Sequence, residues 1–450
     1  MSTLTGASCP QSDYTPLRAT QFYIPLIIQS VSQSLTYPMV AAIVSHGEHG
    51  VLDLAAFAQG QALMFVISAC GGGLLTTGMV FARSKEGFEL FKRLNLLMTI
   101  ALLVIQACAC LPAIHPIIFQ SILGLKDPMA GIAREVLFLC IPMQLFFFLR
   151  TPALTALYNA RASSVANWAT LWRIALTALL APIFIHYGLV GYKMGLLAMT
   201  IPVFLEMILA QVLARPYVRN LEPSTEKVAS SRTQFLFTIP ISFGGILLAL
   251  SGFMVGAFIA RAADAERMLA IHYVTMGIVN PVSYAAIRMQ AVVLAFPPVD
   301  SRGRHLFRYA VAAGLVLMLL PLMGQIPWIA GWYFGTIQNL PAQDIPFAMR
   351  AMLTITILPI IQTIRGHAEG LAAWMRRPNA ILAGQAVYLG SIVCSLFVCI
   401  NTGVPGYLMG VISYLVAVSL TFLTVRMGLV LADEEMRMKN AVELRVQSDE

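Results

Sequence analysis

The chain has 450 residues, of which 58% are hydrophobic and only 11% are charged. Soluble domains average roughly 45–50% apolar and about 25% charged residues, so this composition excludes an ordinary soluble enzyme, a disordered chain and a nucleic-acid-binding protein. The formal net charge of +8 is typical of a membrane protein whose basic residues lie in loops on one side. We therefore expect a polytopic protein whose main partner is the lipid bilayer, with no nucleic acid bound.

Twelve apolar segments follow one another along the chain, and each is long enough to cross a bilayer core of roughly 30 Å as a helix. They cover residues 22–45, 54–81, 95–118, 135–158, 165–186, 190–213, 233–260, 268–296, 307–331, 346–371, 379–400 and 405–430. Their continuous hydrophobicity predicts an all-α polytopic membrane protein with twelve transmembrane helices, because barrel strands would be shorter and would alternate in polarity.

An even number of spans places both termini on the same side of the membrane. Most of the 29 lysine and arginine residues fall in segments on that side, which predicts that both termini are cytoplasmic. Short loops favour a bacterial inner membrane. The predicted organisation is a cytoplasmic tail at 1–21, an N-terminal six-helix lobe at 22–214, a cytoplasmic linker at 215–232, a C-terminal six-helix lobe at 233–431 and a cytoplasmic tail at 432–450.

The two predicted lobes are related by an internal repeat with a shift of 215 residues. The string GLVGYKMG at 188–195 aligns with GVPGYLMG at 403–410, and the same shift superimposes Arg150 on Arg365. Each half holds an even number of spans, so both halves enter the membrane from the same face. We therefore expect two parallel six-helix repeats related by a pseudo-twofold axis along the membrane normal.

Arginines within the predicted spans are the candidate substrate-binding residues. A charge inside a span costs roughly 2.5–3.5 kcal/mol on the insertion scale and therefore usually faces the bundle interior. Guanidinium groups suit phosphate and carboxylate because they offer planar bidentate donors. The alternative is that these side chains snorkel toward headgroups or cap helix ends, and it is favoured for Arg173. The candidates for a small anionic substrate are Arg150, Arg288 and Arg365.

The first span is unusually polar, and Gln29, Gln33 and Tyr37 are further candidates for substrate binding. Such side chains either line a wet cavity or hydrogen-bond to neighbouring helices. Glu206 and Glu369 are acids inside predicted spans and are candidate coupling groups for H⁺ or Na⁺. For Glu206, an ion pair with an arginine is the alternative.

Motifs for catalysis or metal binding do not occur in the sequence. It contains no P-loop, no GxSxG and no HExxH, and its seven cysteines have no metal-site spacing. We expect no enzymatic activity, no metal site and no cofactor beyond a coupling H⁺ or Na⁺. We also expect a monomer.

The twelve spans, the parallel repeat and Pro25 with its repeat partner Pro240 resemble the MOP exporter superfamily. This superfamily includes multidrug and toxin extrusion (MATE) transporters, polysaccharide flippases and lipid II flippases. Within it, the strings GMVF at 78–81 and AIR at 286–288 resemble the progressive ankylosis proteins, a family associated with export of anions such as pyrophosphate and citrate. The acids that MATE proteins usually carry in the first and seventh spans are missing here.

The leading interpretation is a secondary active transporter that exports a small organic or phosphate-bearing anion by alternating access between two lobes. The first alternative is a cation-coupled MATE-type antiporter for cationic drugs, in which Glu206 or Glu369 replaces the missing acids. The second alternative is a flippase for a lipid-linked pyrophosphate.

Overall fold

The structure is a computed structural model that describes residues 14–48, 51–123, 125, 127–224, 228–259, 261–297, 304–337 and 340–448. These ranges contain helices and connecting loops and no β-strand. The helices of the first half are α1 (Pro16–Ser45), α2 (Val51–Ala69), α3 (Leu74–Phe81), α4 (Lys85–Ala109), α5 (Met129–Leu139), α6 (Ile141–Leu149), α7 (Thr151–Asn159), α8 (Ser163–His186) and α9 (Tyr192–Arg219). The helices of the second half are α10 (Ser231–Ile259), α11 (Ala265–Ile287), α12 (Met289–Ala295), α13 (Arg304–Met323), α14 (Pro327–Ala330), α15 (Ile345–Ile355), α16 (Leu358–Trp374), α17 (Pro378–Asn401) and α18 (Gly406–Ser448).

Within the described residues, 10 helical segments are long and apolar enough to cross a membrane. The other two predicted spans overlap α1 and α4. At about 1.5 Å per residue, their 30 and 25 residues still exceed a bilayer core of roughly 30 Å. The all-α polytopic membrane fold is thus confirmed.

The fourth predicted span consists of three consecutive short helices, α5, α6 and α7. Arg150 ends α6 and precedes α7, and Pro152 follows in the first turn of α7. Proline has no N–H and cannot bond to the carbonyl four residues earlier, which here belongs to Phe148. The Asn95 side chain on α4 donates to that carbonyl oxygen at 2.9 Å. The helix break that carries Arg150 is therefore stabilised by a neighbouring helix.

The chain divides into two compact units, and the division falls inside α10. The first unit comprises Tyr14–Ala249, and the second contains the residues from Leu250 onward. Phe91, Phe119 and Met143 are fully buried in the core of the first unit. The predicted lobe and linker boundaries at 22–214, 215–232 and 233–431 stay a prediction.

The 215-residue shift also relates backbone features of the two units. Arg161 and Arg376 have φ angles of 59° and 56°, in the left-handed region that non-glycine residues seldom adopt. Gly188 and Gly403 have φ angles of 68° and 70°. Two π-helical turns, Pro116–Ile122 and Gly331–Ile337, are separated by the same shift. The repeat detected in the sequence thus extends to unusual local conformations.

The glycines that end the repeated string allow close helix packing in both units. A Cβ atom added to Gly195 on α9 would clash with the Cγ2 atom of Val44 on α1, and one added to Gly410 on α18 would lie 2.8 Å from the Cγ1 atom of Val255. Valine cannot easily rotate away within a helix because its χ1 angle is restricted.

Gly195→Ala and Gly410→Ala should each lower the free energy of unfolding by about 1–3 kcal/mol, the usual cost of overpacking. Gly390→Ala on α17 is the matched control, because nothing lies within 4 Å of an added Cβ atom there and alanine favours the helix. Thermal unfolding of the purified protein in detergent measures the difference. Equal melting temperatures for the three variants would contradict the packing argument.

Candidate functional site

A chain of buried polar side chains runs through the first unit. It begins at Tyr158 on α7, whose hydroxyl donates to Gln29 Oε1 on α1 at 2.9 Å. Gln29 Nε2 donates to Thr170 Oγ1 on α8 at 2.9 Å. Thr170 Oγ1 in turn donates to Glu206 Oε1 on α9 at 2.7 Å. Four helices are therefore connected by three hydrogen bonds that end on one carboxylate.

Two arginines meet the other oxygen of the same carboxylate. Arg150 Nη1 lies 2.5 Å from Glu206 Oε2, and Arg173 Nε lies 3.3 Å from it. The Arg150 guanidinium carbon also lies 4.8 Å from the centre of the Phe147 ring. We refer to these six residues as the Glu206 cluster: Gln29, Arg150, Tyr158, Thr170, Arg173 and Glu206. Its net charge is +1, because two positive charges face one negative charge.

The second unit contains a corresponding cluster on α16 and α17. Arg365 Nε donates to Glu369 Oε1, one turn further along α16, at 2.8 Å. Gln385 Nε2 on α17 donates to the same oxygen at 3.1 Å. The Arg365 guanidinium carbon lies 5.2 Å from the centre of the Tyr388 ring, a cation–π arrangement. We refer to these four residues as the Glu369 cluster, and its net charge is zero.

The 215-residue shift relates members of the two clusters beyond the two arginines. Thr170 corresponds to Gln385, and both donate a hydrogen bond to the carboxylate of their cluster. Three residues further along, Arg173 corresponds to Tyr388. Residues three apart share a helix face, so α8 and α17 present equivalent positions to the buried arginine of each unit.

The carboxylate is the part of the cluster that differs between the repeats. Glu206 corresponds to Thr421, and Glu369 corresponds to Leu154, all four of them buried. The acid comes from α9 in the first unit and from the arginine's own helix in the second. Both repeats therefore supply a buried arginine with a counter-charge, but from different positions.

Three solved structures illustrate what this chain is similar to. A multidrug resistance MATE family transporter of the MOP superfamily, in an outward-facing conformation, matches with a TM-score of 0.74 and 16% identity over 93% of this chain and 97% of that chain. A MOP superfamily transporter from Pyrococcus furiosus matches with a TM-score of 0.71 and 16% identity over 92% and 96% of the two chains. A mutant MATE transporter from Vibrio cholerae matches with a TM-score of 0.69 and 16% identity over 93% and 97%.

The chain has the fold of the MOP superfamily transporters. No family model matches the sequence, and no curated protein matches it. The similarity is therefore carried by three-dimensional structure at low sequence identity.

On this MOP fold, the predicted site residues fall into three groups. Gln29, Arg150 and Glu206 come together in the Glu206 cluster, and Arg365 and Glu369 come together in the Glu369 cluster. Arg288, the third, lies between α11 and α12 and is half-buried. The side chains of Gln33 and Tyr37 lie outside the described residues.

Sequence reasoning missed four members of the clusters: Tyr158, Thr170, Gln385 and Tyr388. A signal for two of them was present, because Thr170 and Gln385 are both polar and stand at equivalent positions of the repeat. Arg173, for which snorkelling was favoured, is instead buried with 4% of its surface exposed and faces Glu206.

Glu206→Ala should destabilise the protein by about 3–5 kcal/mol, because it leaves two arginines buried without their counter-charge. Thr170→Val is the comparison variant, because it leaves the charges in place. It removes one hydrogen bond to the same carboxylate, worth about 1.5–3 kcal/mol for a charged acceptor, and the hydrogen bond that Thr170 accepts from Gln29. Melting temperatures in detergent measure both effects. A Glu206→Ala protein at least as stable as Thr170→Val would show that the arginines do not depend on this carboxylate.

Proposed function

We propose that the chain is a secondary active transporter that moves a small organic or phosphate-bearing anion by alternating access. The MOP fold supports the transporter class. The choice of an anionic substrate is based on the Glu206 cluster, in which Arg150 and Arg173 face a single carboxylate. An excess positive charge buried among membrane-spanning helices favours an anionic ligand over a cationic one.

The first cluster is the better candidate for direct contact with substrate. Arg150 keeps 8% of its surface exposed, whereas Arg365 is fully buried. A substrate carboxylate or phosphate that reaches Arg150 competes with Glu206 for the same guanidinium. Protonation of Glu206 would remove the internal competitor and leave two positive charges for the substrate. This competition provides a route by which a proton is coupled to anion binding.

A cation-coupled multidrug antiporter is the second candidate function, and the likeness to a multidrug resistance MATE family transporter favours it. In that case Glu206 or Glu369 would bind the coupling ion. The two arginines around Glu206 weigh against this role, because they already neutralise the carboxylate. The MOP superfamily transporter from Pyrococcus furiosus has a binding pocket of reversed polarity that suggests a different function for it, so different pocket charges occur on this fold.

The resemblance to progressive ankylosis proteins also supports an anionic substrate. Residence in a bacterial inner membrane, cytoplasmic termini and a monomeric state are parts of the same proposal. The flippase for a lipid-linked pyrophosphate is a third candidate function.

Arg150→Gln should lower the rate of anion transport roughly tenfold or more, the loss expected for one charge-assisted hydrogen bond. Proteoliposomes loaded with citrate, pyrophosphate or a cationic dye, with and without H⁺ or Na⁺ gradients, measure the rate for each substrate. Arg93→Gln is the matched control, because Arg93 lies on α4 and is exposed. Arg288→Gln and Arg365→Gln test the remaining arginines. Transport of the dye alone would overturn the anion proposal.

Glu206→Gln separates the two candidate functions. If Glu206 competes with a substrate anion for Arg150, the variant should bind the anion more tightly and lose the dependence of binding on pH. If Glu206 binds the coupling cation, the same variant should lose gradient-driven dye efflux. Binding of the anion to protein in detergent across a range of pH values distinguishes these results.

A further inference from the structure

A cavity of about 330 Å³ lies within the second unit, apart from the residues that form the Glu369 cluster. Arg304, Phe307, Arg308 and Arg426 line it. The first three residues belong to the first two turns of α13, and the fourth belongs to α18. This volume lies at the lower end of the range of roughly 300–1,000 Å³ that small-ligand pockets occupy.

The charge of the cavity favours an anion. Three of its four lining residues are arginines. The N-terminus of a helix adds a partial positive charge, and α13 begins at Arg304. Guanidinium groups bind phosphate oxygens through paired hydrogen bonds.

The first unit carries a different set of side chains at the equivalent positions. Shifting by 215 residues places Glu89, Lys92, Arg93 and Gln211 where the second unit has its three arginines and Phe307. Glu89 and Lys92 form an ion pair of 2.8 Å with each other. Because the first unit forms the same helices without three arginines, the fold does not require them.

Exposed apolar side chains occur on the same two helices. Val316 and Leu319 on α13 and Met427 and Val430 on α18 each expose more than half of their surface. The loop before α13 and the end of α18 lie on the side predicted to be cytoplasmic. Basic pockets between helices on that side of a membrane suit phosphate headgroups.

We propose that this cavity, the α13–α18 pocket, binds the phosphate group of an anionic lipid headgroup, with the acyl chains on the apolar surface of the two helices. The chemistry of the pocket alone would equally bind a soluble phosphate compound. The neighbouring apolar surface favours the lipid. This site is independent of the transported substrate, and it uses residues outside the Glu206 and Glu369 clusters.

The test compares retention of lipid by the purified full-length protein in native mass spectrometry. The probes are phosphatidylglycerol, phosphatidylcholine and inorganic phosphate, each titrated against the same protein. Retention of phosphatidylglycerol should weaken roughly fivefold for Arg308→Gln and on the order of a hundredfold when all three arginines become Gln, since each basic residue near a headgroup contributes about a fivefold factor. Arg308→Lys keeps the charge and should recover part of the affinity.

The matched control is Arg93→Gln, which changes the equivalent residue of Arg308 in the first unit and should leave retention unchanged. Folding of each variant is checked by its melting temperature without added lipid. Equal loss with Arg93→Gln, or equal retention of phosphatidylcholine and phosphatidylglycerol by the unmodified protein, would overturn the proposal. If inorganic phosphate saturates the protein without displacing phosphatidylglycerol, the two bind at different sites and the proposal is also overturned. If phosphate displaces phosphatidylglycerol only at high concentration, the result supports a lipid site.

Discussion

A guanidinium group among membrane-spanning helices needs a negative charge in contact with it, because no bulk water is present to solvate it. Arg150 and Arg365 occupy equivalent positions of the repeat, and each lies against a carboxylate at hydrogen-bonding distance. Removing Glu206, or either member of the Arg365–Glu369 pair, would leave an uncompensated buried charge, which is far more costly than losing a whole ion pair. Thr170 donates to the Glu206 oxygen that the arginines do not meet, and Gln385 donates to the Glu369 oxygen that Arg365 also meets.

The local backbone explains why an arginine lies at this point of the first unit. Pro152 interrupts the helix, and Asn95 takes over the carbonyl that the proline leaves without its usual donor. The interruption allows Arg150 to end one helix and precede the next, so its long side chain can reach α9. A buried ion pair and a broken helix are thus two parts of one arrangement.

Much of the fold could be predicted from the sequence because the bilayer imposes long apolar helices and because a recognisable glycine and tyrosine string occurs in both halves of the chain. The arginines and Glu206 stood out as charges in apolar segments. Tyr158 and Thr170 did not, since tyrosine and threonine are common in membrane helices and only the packing of α1, α7 and α8 brings them to Gln29. The pairing of Glu206 with both arginines depends on helix rotation, which hydrophobic patterning does not specify.

The origin of the two carboxylates gives the repeats different mechanical properties. Glu369 and Arg365 belong to one helix, so their ion pair travels with α16 as a rigid body during any displacement. Glu206 reaches Arg150 from a separate helix, so sliding α9 past α6 and α7 by a few ångströms must break that contact. The first repeat therefore contains an ion pair between two helices, and the second contains an ion pair within one helix. The two repeats, which share their helices and the position of their buried arginine, thus differ in whether the ion pair joins two helices or lies within one.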